Sequence, residues 1–497
     1  SCIRYVPDAT MNAMGPSWVD PVTGEILNAS VLVYNDIIKL INNWRFVQTS
    51  QVDERVRAVK MPQDIIDESM VYVISHEIGH TLGLMHNMGA SSAYPTDMLR
   101  DAAFTSDHGT TPSIMDYARF NYVAQPGDGI QQISPQIGPY DLMAIEWGYR
   151  WFPDEKKAAS AQQDFLKKHS GKEFRYSETQ SQRTAIDPRS LSEDLGDDAM
   201  KSAAYGIANL KRVMPNIIDW TRTGEPGQTY DEASKLYQGV IFQWSLYLYH
   251  VLANVGGMYI DNTTIDDGKT TFTFVEKDKQ RRAVQFLIDE VFTCPKWLFR
   301  SELNKYTFIN KNTPLGVQEQ SPDYALQNQQ SYMLWDMLDN NRIMRMFANE
   351  QANGKEAFTA VEMMDMLHKH FFGKTIAGRQ LTIDERQLQK NFVDALITAA
   401  AQQEGVKINK KICDTPAIID SPDHNWQCVC LSSASRTIDM GGTQTARVSD
   451  AISVKRGELV RILSLLKGKR RSGDTATQFH YEDVIMRIQT ALGQEIK

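Results

Sequence analysis

Apolar positions in the second half of the chain recur three and four residues apart, the spacing of an α-helix. This pattern predicts helices at 198–213, 229–254, 278–292, 329–349, 356–370, 383–402, 449–467 and 480–492, with a short strand pair within 258–275. The aromatic-rich stretch 242–250 fits a packed helix core better than a ligand site. No fixed period relates these segments, which argues against a solenoid. The second half is therefore predicted to be mainly helical.

The first 150 residues alternate short β-type stretches with helical ones. Residues 3–6, 12–19 and 25–34 read as strands, with a Pro- and Gly-containing turn at 20–24. Pro16 cannot donate a hydrogen bond to a neighbouring strand, so we place 12–19 at a sheet edge or bulge. An ordinary hairpin is the alternative interpretation of this segment.

Three helices are predicted in this part, at 36–46, 68–82 and 137–149. The second is expected to bury a broad apolar surface, formed by Val71, Val73, Ile74, Ile78 and Leu82. Asp64 or Asp67 is expected to cap the N-terminus of this second helix. Gly148 is expected to end the third helix. The stretch 87–112 is polar and reads as a long loop beside a cleft.

Together these patterns predict an α+β protein with more than one domain, because 497 residues exceed the usual size of a single core. Residues 1–150 form the predicted sheet-and-helix domain. Residues 151–200 are a charged connector with some helix, and residues 201–497 are a mainly α-helical C-terminal domain.

Composition narrows the possible partners. The net charge of −8 argues against a nucleic-acid partner, since such proteins carry a concentrated basic face. No run of eighteen apolar residues occurs, so no membrane span is predicted. Five cysteines in 497 residues do not make a disulfide scaffold. Three of the cysteines lie close together in the sequence, with a histidine nearby: Cys413, Cys428, Cys430 and His424. They could form a second metal site, but their spacing fits a local disulfide or buried thiols better.

Residues 76–86 carry a pattern typical of a catalytic metal site, reading H-E-I-G-H-T-L-G-L-M-H. On a helix, His76 and His80 leave the same face and can share one metal ion. Gly83 can adopt the positive φ that ends a helix and turns the chain. The turn brings His86 back as a third ligand. Three imidazoles with an open fourth position are the arrangement of catalytic zinc.

Glu77 is next to His76 in the sequence but does not lie on the helix face that His76 and His80 share. A general base needs this position to take a proton from a metal-bound water without binding the metal itself. The alternative is a solvated polar helix face, since H-E-x-x-H alone arises by chance. All five fixed positions would match by chance in about one chain in 10⁴–10⁵.

Other candidate metal ligands fit a site less well. His108 lies in the polar stretch after the motif and reads as a surface histidine. His368 and His370 are two positions apart and would diverge on a helix. Three acidic residues in the first 150 positions could contribute to a calcium site, but no calcium-loop motif joins them: Asp107, Asp116 and Asp128.

A second motif follows at 113–117, which reads S-I-M-D-Y and resembles the Met-turn of the metzincin zinc metalloproteases. The resemblance implies that the three histidines bind Zn²⁺, that Glu77 is the catalytic base and that Met115 is an apolar floor beneath the metal. Tyr117 matches the tyrosine that some metzincins place near the zinc, where it binds the metal or stabilises an oxyanion. It also implies that an extended peptide adds to the edge at 12–19.

Two further sequence segments resemble those of a family of large secreted bacterial metzincin-type proteins with a helical C-terminal region. They are D-P-V-T-G-E-I at 20–26 and F-N-Y-V-A-Q-P-G-D at 120–128. This closer resemblance implies export from the cell. Asn87, which follows the third histidine, matches none of the best-known metzincin subfamilies, so their specificities are not carried over.

The chain departs from the metzincin pattern at its start. Metzincin domains place a strand, a long helix and another strand ahead of the strands identified here, yet only about 65 residues precede the zinc helix. We therefore expect an upstream segment of the same protein to complete the sheet. Part of the sheet within this sequence should then be short or exposed.

The sequence as a whole predicts a zinc-dependent endopeptidase that acts on a protein or peptide substrate. One alternative is a catalytically silent zinc-containing binding protein of the cell surface. A second is a helical carbohydrate- or surface-binding protein, which rests only on the aromatic content of the second half.

Overall fold

The computed structural model describes residues 2–313, 316–401 and 450–493. The strands are β1 Cys2–Val6, β2 Ala13–Met14, β3 Ser17–Val19, β4 Ile26–Tyr34, β5 Met258–Ile260, β6 Phe272–Phe274, β7 Ile309–Thr313 and β8 Gly316–Glu319. The helices that begin within the first 200 residues are α1 Ile37–Thr49, α2 Gln63–Thr81, α3 Ala102–His108, α4 Pro139–Tyr149, α5 Glu155–Lys168 and α6 Ala199–Val213.

The remaining helices are α7 Ile217–Trp220, α8 Asp231–Leu252, α9 Lys277–Glu290, α10 Lys296–Phe299, α11 Asn304–Thr307, α12 Pro322–Met337, α13 Asn340–Asn353, α14 Ala360–Ile376, α15 Ile383–Ala401, α16 Asp450–Lys469 and α17 Thr475–Ala491. A small mixed sheet followed by many helices makes this an α+β fold, as predicted.

The sheet is built around β4. β1 runs parallel to it, with Cys2 opposite Ser30, and β2 and β3 run antiparallel on its other side. β2 and β3 form the predicted edge, broken at Gly15 and Pro16 because proline cannot donate to the ladder. β1 is the opposite edge, and its residues Cys2 to Tyr5 are exposed, in line with the expected short or exposed strand. The upstream segment itself stays a prediction.

The helix that carries two of the motif histidines differs in two ways from its prediction. α2 begins at Gln63, five residues before the predicted start, so Asp64 and Asp67 lie inside the helix and do not cap it. Its buried face includes Ile65, Tyr72 and Val73. Three residues expected in the core are largely exposed, because α2 packs on the sheet and α1 along one side only: Val71 65%, Ile78 40% and Leu82 42%.

Two further predictions in the first half were wrong in detail. Gly148 does not close α4, which continues through Tyr149. Gly148 has no positive φ and sits as an ordinary helical residue. The stretch 87–112 is not a loop throughout. It contains α3, and its residues Met88 and Leu99 are fully buried.

The helices of the second half lie close to their predicted positions. The exception is 329–349, which is two helices, α12 and α13. Asp339 separates them, because its carboxylate accepts hydrogen bonds from the N–H groups of Asn341 and Arg342 and so caps the second helix. In α8 the aromatic stretch is core, as predicted, with Trp244 and Tyr247 buried. The β7–β8 hairpin was not predicted.

A continuous apolar core connects the sheet region with the helical region. It includes residues from Ala13 to Ile488, and a buried hydrogen bond of 2.9 Å joins Gln48 of α1 to Gln243 of α8. The domain divisions at residues 150 and 200 stay a prediction, since packing continues across both positions. No helix in the described part of the chain is long and apolar enough to cross a lipid bilayer.

Candidate metal and catalytic site

The three motif histidines converge at the end of α2. His76 and His80 lie on one face of the helix, and Gly83, with φ of 86°, turns the chain so that His86 comes back toward them. The N–H of Leu84 donates to the carbonyl of Gly79 across 3.0 Å and closes this turn. The candidate ligand atoms of the histidines all lie within 4.8 Å of one another. The predicted ligand set is therefore assembled.

Hydrogen bonds to the backbone orient two of the imidazoles. Nδ1–H of His76 donates to the carbonyl of Ile114 at 2.7 Å, and Nδ1–H of His80 donates to the carbonyl of Leu84 at 2.9 Å. Each bond leaves Nε2 as a lone-pair nitrogen aimed at the shared centre. Nε2 of His76 is buried and has no hydrogen-bond partner. A buried unpaired nitrogen is costly, and a metal ion would satisfy it.

The spacing and protonation of the nitrogens fit zinc. Nε2 of His80 and Nε2 of His86 are 3.1 Å apart, close to the separation of about 3.3 Å between ligands of one tetrahedral zinc. Burial lowers the pKa of His76 and His80, and it lowers the pKa of His86 to about 3. All three imidazoles are thus neutral at neutral pH, which is the form that binds a metal.

Met115 is fully buried and packs against α2 at Gly79. A Cβ added to Gly79, the residue between them on α2, would overlap the sulfur of Met115. The absence of a side chain at Gly79 therefore lets the methionine pack against the helix backbone. This packing agrees with a floor position for Met115, whose role beneath a metal ion stays a prediction.

The turn that holds Met115 is fixed by α4. The carboxylate of Asp141 accepts hydrogen bonds from the Ser113 hydroxyl at 2.6 Å, the Ile114 N–H at 2.7 Å and the Gly138 N–H at 2.9 Å. Ile114 is also the residue whose carbonyl orients His76. One carboxylate on α4 thus fixes a metal-site histidine through a single intervening residue. No sequence motif marks Asp141 as part of the site.

Glu77 lies on the side of α2 that faces the sheet edge and is buried, with 1% of its surface exposed. Its Oε1 has no hydrogen-bond partner, and the N–H of Gly15 lies against the carboxyl group. Burial raises the pKa of Glu77 to about 8, while Arg119 and the Gly15 N–H act in the opposite direction. A carboxyl group acts as a general base only in its ionised form, and a metal cation held by the histidines would favour that form by lowering the pKa of Glu77.

Tyr117 lies beside the histidines, as predicted. Its ring centre is 4.5 Å from that of His86 and 5.3 Å from that of His76. The guanidinium of Arg119 lies over the ring of Tyr117 at 4.6 Å and over the ring of Trp44 at 4.1 Å. The tyrosine is therefore held between an imidazole and a cation.

Arg119 and Glu193 form a buried ion pair that the sequence analysis missed. Nε of Arg119 is 3.1 Å from Oε1 of Glu193, and the Glu193 N–H donates to the carbonyl of Tyr117 at 2.9 Å. Both residues have positive φ, 55° and 64°, a conformation that is costly for a residue with a side chain. The predicted connector thus contributes a buried charge to the wall of the site.

Asn87 also ties the connector to the site. Its backbone N–H donates to the carbonyl of Met115 at 3.1 Å. Its side chain donates to the carbonyl of Arg175 at 2.8 Å and accepts from the N–H of Ser177 at 3.0 Å. The sequence marked Asn87 only as the unusual residue after the third histidine. The structure gives it a positioning contact beside His86.

The other candidates lie elsewhere. His108 is exposed at the end of α3, as predicted. His368 pairs with the buried Glu458, whereas His370 hydrogen-bonds to the carbonyl of Phe292. The three acidic candidates do not meet, since Asp128 pairs with Arg100, Asp116 is buried and Asp107 is exposed. Cys413, His424, Cys428 and Cys430 lie outside the described residues. Within the part of the chain that the structure describes, the histidine triad is the only group of three possible metal ligands.

Comparison with known proteins bears on this geometry. Residues 58–378 match the family described as Met-zincin, which covers more than half of the chain and includes the triad, Met115 and Glu193. No curated protein and no solved structure matches the chain. The family name implies a zinc site of the kind that the triad can form. The chain therefore belongs to the Met-zincin family, within the metzincin clan.

Proposed function

We propose that this protein is a zinc-dependent endopeptidase. The observation that carries the proposal is the convergence of three neutral imidazoles, one of them with a buried unpaired Nε2, beside a buried carboxyl group and above Met115. This donor set leaves room for a fourth position, as a catalytic site requires and a structural site does not. Membership of the Met-zincin family supports the same conclusion.

His76, His80 and His86 would hold the metal. Bound zinc supplies Lewis-acid chemistry, polarising a carbonyl oxygen and lowering the pKa of water. Glu77 accepts the proton of the attacking water and then passes it to the leaving amine. Tyr117, within reach of the same centre, donates its hydroxyl proton in a hydrogen bond to the oxyanion that develops on the scissile carbonyl.

The substrate would be an extended peptide that pairs with the β2–β3 edge. This edge lies against α2, since a Cβ on Gly15 would overlap the backbone of Glu77. A peptide added to the edge therefore runs past the base and the histidines. Trp18 and Val19 are exposed on β3 and offer apolar contacts to substrate side chains. Export, which the family resemblance implied, stays a prediction that cell fractionation would test.

Glu77→Gln tests the function directly. Glutamine keeps the shape of the side chain but cannot accept the proton, so cleavage of a mixed peptide library should fall roughly 10²–10⁴-fold with zinc content unchanged. Mass spectrometry of the products and metal analysis of the same sample give both results. Asp67→Asn, an exposed change on the same helix, should leave cleavage unaltered.

Retained turnover in purified Glu77→Gln protein would rule out this mechanism. A wild-type protein that binds zinc stoichiometrically but cleaves nothing in the library, with or without chelator, would instead favour the silent binding protein.

A further inference from the structure

A second cavity lies apart from the metal site, between the connector at 151–200 and the helices α8 and α9. Its volume is about 260 Å³. Four cationic side chains line it: Lys172, Arg175, Arg189 and Lys279. The phenol of Tyr259 and the imidazole of His250 also face it. We call this cavity the basic pocket.

The positive charge of the basic pocket is only partly neutralised. Arg189 pairs with Asp187 at 2.8 Å and with Asp261 at 3.1 Å. Among the residues that the structure describes, no carboxylate lies within ion-pair distance of Lys172, Arg175 or Lys279. Three cations thus share one small cavity without an anionic partner.

The acidic residues in the wall offset this charge weakly. Burial and the neighbouring Asp116 raise the pKa of Asp194 well above its usual range, which favours the neutral form of its carboxyl group. Asp197 remains as an acidic wall residue, and it accepts the N–H of Thr96 at 3.0 Å. Two carboxyl groups face four cationic side chains in the lining, which therefore keeps a net positive charge.

Arg175 is the most costly of the three unpaired cations. Nε of Arg175 is buried and has no hydrogen-bond partner, while Nη2 donates to the carbonyl of Gly89 at 3.2 Å and to the hydroxyl of Ser92. Burial lowers the pKa of Arg175, and Arg189 acts in the same direction, whereas Asp187, Asp261 and Asp194 oppose this shift from beyond ion-pair distance. A buried cation without an ion-pair partner is unfavourable, and an anion in the cavity would relieve this cost.

We propose that the basic pocket binds a phosphate group, either free phosphate or the end of a small phosphomonoester. A guanidinium and two ammonium groups around one cavity match the several oxygens and double charge of phosphate, whereas the Tyr259 hydroxyl already donates to Glu276 at 2.9 Å. The volume exceeds that of one phosphate group, so the alkyl part of a small monoester also fits.

The occupant would tighten segments that adjoin the metal site. The backbone carbonyl of Arg175 accepts the side chain of Asn87, next to His86. Asp194 accepts the hydroxyl of Ser91 at 3.1 Å, and the N–H of Ser91 donates to Asp116 at 2.6 Å, next to Met115. Because phosphate would bind only the folded arrangement, it stabilises the protein through mass action.

Calorimetric titration of the full zinc-loaded chain with inorganic phosphate, and separately with O-phosphoserine, tests the proposal. We expect saturable binding and, at a phosphate concentration of 100 times Kd, a shift of the unfolding equilibrium by about 100-fold relative to sodium chloride of equal ionic strength. Binding of phosphate alone identifies the free ion as ligand, and binding of both identifies the monoester class.

Lys172→Gln with Lys279→Gln should weaken phosphate binding at least tenfold, because two of the three unpaired cations are lost. Lys235→Gln with Lys305→Gln removes the same charge from exposed lysines that pair with Glu232 and Glu302, and should bind as the wild type does. No variant here touches the metal site, so the outcome is independent of peptidase activity.

Two results would overturn the proposal. One is the absence of saturable binding to the wild type. The other is unchanged affinity in the Lys172→Gln, Lys279→Gln variant, above all if binding then disappears on removal of zinc, since the phosphate would be on the metal.

Discussion

Gly79 illustrates how closely the candidate site is packed. It lies between the two helical histidines, and Met115 fills the space that a side chain would need. Glycine inside a helix costs about 1 kcal/mol relative to alanine, so its presence here reflects the contact with Met115 and not helix formation. The floor of the site thus depends on one missing methyl group.

We expect Gly79→Ala to lower the denaturant midpoint by the equivalent of about 1–3 kcal/mol, because the added Cβ overpacks against a buried sulfur. Displacement of Met115 should also weaken zinc binding, measured by competition with a chelator. Gly148→Ala is the matched control. Nothing lies within 4 Å of a Cβ at that helical position, so it should be neutral or stabilise by up to about 1 kcal/mol.

The element that holds the Met-turn is α4. Asp141 near its first turn accepts three hydrogen bonds from residues of the turn and from Gly138. Ile114 in that turn orients His76. The orientation of His76 therefore depends on the position of α4 through hydrogen bonds alone. The spacing of apolar residues predicted a helix after the Met-turn. Its function as an anchor follows only from the hydrogen bonds that Asp141 makes in the folded structure.

Asp141→Asn should destabilise the protein by about 1–3 kcal/mol, because the amide keeps one oxygen for the Ile114 and Gly138 N–H groups but loses the oxygen that accepts the buried Ser113 hydroxyl. Zinc affinity should fall as well, since Ile114 loses its fixed position. Glu146→Gln, on the exposed side of the same helix, should change neither the unfolding midpoint nor zinc affinity. Equal effects of the two changes would contradict the anchoring role.

Across the whole molecule, residues far beyond the motif complete the site. Arg119 and Glu193 are 74 positions apart and only 5% and 7% exposed. Arg175 and Ser177 bind Asn87. We therefore expect a fragment that ends at residue 150 to lack a stable site, whichever domain division holds.

Glu193→Gln should cost roughly 3–5 kcal/mol, because it leaves the buried guanidinium of Arg119 without its counter-charge. Thermal unfolding of the zinc-depleted full chain measures this loss without the contribution of the metal. Glu302→Gln breaks an exposed ion pair with Lys305 and should leave the unfolding temperature unchanged. A Glu193→Gln protein as stable as the wild type would show that other neighbours of Arg119 compensate its charge.

Acid should destabilise the fold through His250, which joins α8 to the connector by a 3.0 Å hydrogen bond to the carbonyl of Ser192. Burial lowers the pKa of His250 from 6.5 to about 4. Between these values the unfolded chain binds a proton that the folded chain does not, so stability falls as the pH drops from about 6.5 to about 4. The full loss is about 3 kcal/mol.

His250→Gln should flatten this part of the profile of unfolding free energy against pH, measured in phosphate-free buffer because His250 faces the basic pocket. His108→Gln, at an exposed histidine, should keep the wild-type slope. An unchanged slope in His250→Gln would assign the acid sensitivity to other groups.

The sequence alone determined the class of fold, the family and the three histidines that together could hold a metal ion. These follow from local rules. Spacing of four places His76 and His80 on one helix face, and Gly83 is free to take the φ of 86° that returns His86. Periodicity likewise located most helices, although the capping by Asp339 that divides α12 from α13 escaped it.

Only the tertiary structure decided what surrounds the triad. The anchor Asp141, the Arg119–Glu193 pair and the basic pocket each join segments whose separation along the chain carries no periodic signal. The same holds for exposure, since the sequence marked Val71 as core and the packing of α2 leaves it in solvent. Ligand chemistry is encoded in neighbouring residues, whereas the charges and contacts that position those ligands depend on how distant segments pack.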